Sequence, residues 1–140
     1  MELVTHLDKW FADRLDGLRC REDTRAYVTG VLAGFKVDGD MMCRESVVLA
    51  YTDARNRGDF VAFQRIGDWV LWVDAMYPQF IHDNREVVES IGRLSYYTCH
   101  RIMRGQWHVY EELSDELPRL AYDIRHAIRV SGRQHSELQV

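Results

Sequence analysis

Between positions 60 and 78 the chain commits itself to helix. Phe60, Phe63, Ile66, Gly67, Val70, Val73 and Tyr77 recur at three- and four-residue steps, the period of one helical face. Trp69, Leu71, Trp72 and Met76 lie beside that stripe. An apolar face this wide implies a helix covered on more than one side. Pro78 disfavours helical geometry at Tyr77 and closes the segment. Asp59, following Arg57-Gly58, can cap its start. A helix buried in this way needs partners from the rest of the chain.

The other segments repeat the same period. Leu3, Leu7, Trp10, Phe11, Leu15 and Leu18 give a first helix with Gly17 as its stop. Tyr27, Val28, Val31, Leu32 and Phe35 form the inner face of a second, capped by Asp23 or Thr24. Gly30 and Gly34 lie inside it, and each costs about 1 kcal/mol relative to alanine; this predicts a compensating close helix contact. Val37-Asp38-Gly39-Asp40 reads as a turn, and Asp40 can cap a third helix with Val47, Val48, Tyr51 and Ala54 inward. After a bridge at 79–82, Asp83 or Asn84 caps a fifth helix reaching about Arg104 and ended by Gly105. Its expected inner residues are Val87, Val88, Ile91, Leu94, Thr98 and Ile102.

Trp107, Val109, Tyr110 and Leu113 mark a shorter sixth helix. Pro118 separates it from a last one carrying Leu117, Leu120, Ala121, Ile124 and Ile128. Equally, that last helix starts at Ser114 and holds Pro118 in its first turn. No window alternates at two residues, and no hairpin turn sits between strand-like runs. The expectation is an all-α, single-domain bundle of six to seven helices over 1–130, with a polar tail over 131–140.

Composition limits the function classes. A chain of 140 residues can bury one real core. Its net charge of −4 disfavours nucleic acid and anionic membranes as partners. No apolar run is long enough to span a bilayer. The first residues lack the basic start and continuous apolar centre of a signal peptide. The expected location is cytoplasmic, in a bacterium, or in a host cell or virion if the gene is viral. Cys20, Cys43 and Cys99 are odd in number and widely spaced, which indicates reduced thiols rather than a disulfide framework or zinc knuckle.

The segment Gly67-Asp68-x-x-Leu71-Trp72…Met76-Tyr77-Pro78…Ile91-Gly92-x-x-Ser95-Tyr96 resembles a family of helical bacterial proteins without a known function. That family's pattern is Gly-Asp-x-x-Leu-Phe…Gly-Phe-Phe-Pro…Tyr-Tyr-x-x-Met-Gly-x-x-Ala-Tyr. Tyr110-x-Glu112-Leu113 is similar to its continuation, and the resemblance covers roughly residues 60 to 125. The chain departs from the pattern at Ala75 and at Val87-Val88, so the chemistry of the paired tyrosines does not carry over. The resemblance implies a helical fold and supplies no reaction.

Gly67 and Gly92 occupy inner positions of two neighbouring helices, where a missing side chain lets backbones approach. Asp68 follows within an apolar run, and a buried carboxylate needs a partner; Arg93 and Tyr96 are the candidates. His82 and Asp74 can join them at the corner marked by Pro78. A ligand-binding reading therefore names Asp68, Asp74, His82, Arg93 and Tyr96, with no catalytic residue assigned. The six histidines lack the spacing that presents metal ligands from one helix, so no metal and no cofactor are expected. Phosphate loops and nucleophile elbows are absent from the sequence. Arginine stripes at 93–101–104 and 125–129–133 can grip phosphates, or can pair with local acids on a solvated face. The aromatic residues suggest a partner-binding surface built from Trp69, Trp72, Trp107 and Tyr97. The preferred expectation is a non-enzymatic interaction or assembly subunit with a protein partner or a second copy of itself. A ligand site at the corner and nucleic-acid binding through the arginines are the alternatives.

Overall fold

Among the described residues six α-helices follow one another as α1 (Glu2–Arg14), α2 (Glu22–Asp38), α3 (Arg44–Arg57), α4 (Phe60–Met76), α5 (Arg85–Ile102) and α6 (His108–Leu138), with a 3₁₀ segment at Pro78–Asn84 between α4 and α5. This computed structural model describes the backbone over 2–38 and 44–138, and side chains over 6–35 and 47–130. Among the described residues no strand occurs, and the molecule is an all-α bundle. Among the described residues no helix is long and apolar enough to cross a membrane. The expected cap at Asp40 lies outside the described residues.

α4 is the hub. Ten of its residues are buried, from Phe63 to Ala75, which requires neighbours on several sides. It packs against α5 and α6 most extensively and also touches α2 and α3. Asp59 caps it by accepting a hydrogen bond from the Ala62 amide at 3.3 Å. The turn before it uses Gly58 at φ +60°, a conformation that costs other residues a steric penalty. Gly67 and Gly92 bring α4 and α5 together. A Cβ at Gly67 would stand 2.8 Å from the Tyr96 ring, and one at Gly92 would stand 2.6 Å from Val70.

Pro118 divides nothing. α6 runs through it for 31 residues, and the two C-terminal helices expected from the sequence are one. Proline lacks the N–H that would bond the carbonyl four residues earlier, here that of Ser114. The Arg93 side chain replaces it: Nε donates to the Ser114 carbonyl oxygen at 2.8 Å. The Ser114 hydroxyl in turn donates to the Arg93 carbonyl at 3.0 Å. A side chain from α5 thus fills the gap that the proline leaves in α6, so the helix continues. The backbone also stays helical past Ser131 to Leu138, where a polar tail was expected.

Two other expectations change. α2 begins at Glu22, so Asp23 and Thr24 lie within its first turn and do not precede it. The amide of Arg21 donates to the Glu112 carboxylate of α6 at 3.2 Å, tying this helix end to the bundle. In α5 the apolar residues divide between two faces. Val88, Gly92, Ser95, Tyr96 and Cys99 are buried. Val87, Leu94 and Ile102 are 55%, 46% and 45% exposed, although the helical period marked them as inward.

Candidate functional site

Asp68 sits where α2, α4 and α5 meet. The hydroxyls of Tyr27 and Tyr96 both donate to its Oδ1, each at 2.7 Å. Burial raises its carboxyl to about 6, although the two tyrosine bonds pull the other way by favouring the charged form. Both tyrosines are held above the ordinary phenol range by burial and by the Asp68 charge, so they remain donors at neutral pH. They belong to an aromatic cluster. Tyr27 meets Trp107 at 5.8 Å and Tyr110 at 5.6 Å edge-on, and Tyr110 accepts a bond from Gln64 Nε2 at 2.6 Å.

One side of this cluster opens into a cleft of about 680 Å³ lined by α2 and α4. Tyr27, Gly30, Gly34 and Phe35 contribute from α2; Gln64, Arg65 and Asp68 contribute from α4. The glycines here do not do what the sequence implied. A Cβ at Gly30 or Gly34 would meet nothing within 4 Å, so the pair widens the cleft and makes no close helix contact. Behind it, Phe35 stacks on Trp72 at 5.1 Å.

The corner constellation does not assemble. Of its five residues only Asp68 and Tyr96 come together. Arg93 is committed to Ser114. His82 is exposed on the 3₁₀ segment. Asp74 is completely buried and belongs to a separate ion cluster. Its Oδ1 lies 3.1 Å from Arg85 and 3.4 Å from Arg125, while Arg85 also reaches Glu89 at 3.4 Å. Burial and then the neighbouring Glu89 carboxyl raise Asp74 to about 7, against the pull of the two arginines. Its Oδ2 has no donor unless a proton is shared with Glu89. The cluster ties the end of α4 to α5 and α6.

The aromatic surface does not form as expected either. Trp69 and Trp72 are buried at 2% and 4% exposure, because α4 is covered on several sides. Trp107 is half-buried against Tyr27 and Tyr110. Tyr97 alone of the four is exposed. The Cys99 thiol is buried and pushed up to about 12 by that burial and by Asp68, which favours its protonated form near neutral pH. Among the described residues no three His, Cys, Asp or Glu side chains gather as a metal-binding group.

Within the expected phosphate-gripping stripes, Arg93 and Arg125 have protein partners, while Arg101, Arg104 and Arg129 are exposed and the Arg133 side chain lies outside the described residues. Arg125 binds the Asp74 carbonyl, and the neighbouring Arg119 pairs with Glu116 and Asp123 at 2.7 and 3.1 Å. Compared with known proteins, the chain matches no family model, no curated protein and no solved structure. Its chemistry has to be argued from its own residues. Asp68 and Tyr96 were legible as site candidates in the sequence; Tyr27 was marked only as an inner packing position, and Gln64 carried no signal that singled it out.

Proposed function

We propose that this protein is a non-enzymatic assembly subunit that pairs with a second copy of itself through the outer face of α5. The observation that carries this reading is the partly exposed, mostly apolar stripe on that helix. Val87, Ile91, Leu94, Thr98 and Ile102 follow one another at steps of four, three, four and four, the spacing of a helix–helix seam. Three of them are about half exposed, and Tyr97 beside them is 45% exposed. The remaining exposed large apolar side chains are dispersed over α3, α4, α6 and the 3₁₀ segment. A stripe of this kind marks an interaction surface.

The flanking charges favour a second copy in antiparallel orientation. Glu86 lies at the start of α5 and Arg101 near its end, both exposed. Fifteen residues of helix separate them, a rise of about 22 Å. Antiparallel pairing places each Glu86 beside the opposite copy's Arg101, whereas parallel pairing places like charges together. The two-fold axis then passes near Leu94, giving an isologous contact that closes at two subunits.

Cysteine cross-linking tests the geometry. In a background with Cys20 and Cys43 replaced by serine, Leu94→Cys should form a disulfide-linked dimer under mild oxidation, because position 94 faces its own copy. Val87→Cys alone should not, because its counterpart lies at position 101. Equal cross-linking at both positions, or none at 94, contradicts the proposed pairing.

A further inference from the structure

Separately from any self-association, we infer that the cleft between α2 and α4 is a binding site for a small primary amine carrying an apolar or aromatic group. Its volume, about 680 Å³, falls within the range of small-molecule sites. The walls are apolar and aromatic: Tyr27, Val31 and Phe35, with the bare backbone of Gly30 and Gly34 between them. One carboxylate, Asp68, lines the same space. Both tyrosine bonds fall on its Oδ1, leaving Oδ2 as the oxygen they do not use. A protonated amine supplies the charge-assisted donor for that oxygen, and the rings of Tyr27 and Phe35 favour a cation beside them. Gln64 gives the site a further polar group. Arg65, also at the cleft, is itself engaged in an interaction and is not needed for recognition.

The two glycines make the site sterically possible. Any larger residue at 30 or 34 would project into open space, since nothing stands within 4 Å of a Cβ at either position. Gly34→Leu should therefore fill the cleft without disturbing the fold. Asp68→Asn keeps an oxygen that can accept the tyrosine hydroxyls and removes the charge.

The test is a titration of ¹⁵N-labelled full-length protein with benzylamine at millimolar concentration, with benzyl alcohol and benzoate as uncharged and anionic comparisons. The expected result is chemical-shift change at the Gly30 and Gly34 amides with benzylamine. Binding of the alcohol or the acid should be at least about tenfold weaker. Asp68→Asn and Gly34→Leu should each abolish the benzylamine response while retaining a cooperative thermal transition. Equal response to benzyl alcohol or benzoate, undiminished benzylamine binding in Asp68→Asn, or no response to benzylamine at these amides would overturn the assignment.

Discussion

Four glycines inside helices look alike in the sequence and have opposite roles in the structure. Gly67 and Gly92 are pressed against Tyr96 and Val70, whereas Gly30 and Gly34 face open space. Alanine at 30 or 34 should stabilise the protein by about 0.5–1 kcal/mol each, through helix propensity and a less flexible unfolded chain. Alanine at 67 or 92 should destabilise it by about 1–3 kcal/mol, because ring and branched side chain must move in a packed interior. Urea denaturation of the four variants separates the two classes. Spacing alone could not, because an omitted side chain leaves room either for a neighbouring helix or for a cleft. The carboxylates carry a second prediction. Folded Asp68 and Asp74, raised to about 6 and about 7 from 3.8, hold protons at a pH where the unfolded chain has released them. Stability should therefore fall as pH rises from about 4 to about 7. In Asp74→Asn, where the amide can donate to Glu89, that slope should shrink in denaturation curves measured across the range. An unchanged slope would show that Asp74 is not raised.

At the scale of elements, helix existence was legible and helix context was not. The period in 60–77 and the stop at Pro78 predict α4 and its end almost residue for residue. Pro118 misleads because its remedy, Arg93, comes from a different helix and carries no local signal. The Arg93–Ser114 contact should be worth most while the proline is present. Arg93→Met should cost about 1–3 kcal/mol by leaving the Ser114 carbonyl without its donor. In a Pro118→Ala background the cost should drop sharply, since alanine restores the missing backbone N–H. A double-mutant cycle reads the coupling directly, and additive effects would contradict the compensation. α5 shows the complementary limit. Its apolar residues span more of the helix than the bundle covers, and periodicity cannot say where neighbouring helices end. The half that the bundle leaves open is the half on which the proposed assembly depends.

Across the whole molecule, the features group into three regions. The Asp74–Arg85–Glu89–Arg125 cluster fastens α4, α5 and α6 from within. The Asp68–Tyr27–Tyr96 cluster borders a cleft on the α2 side. The outer face of α5 presents Val87, Leu94 and Ile102 about half exposed. The sequence suggested a subunit that uses aromatic residues to reach a partner, but Trp69 and Trp72 lie in the core, where a hub helix has most apolar area to bury, and Trp107 is half-buried against Tyr27 and Tyr110. Aliphatic residues on α5 are left as the surface. Sedimentation equilibrium of the wild-type chain beside Leu94→Glu distinguishes the proposed self-association through that surface from a monomer. The expected result is a wild-type species of twice the 16.5 kDa chain mass and a folded monomer for Leu94→Glu. A wild-type monomer at every concentration examined, or a dimer that Leu94→Glu leaves intact, would contradict it.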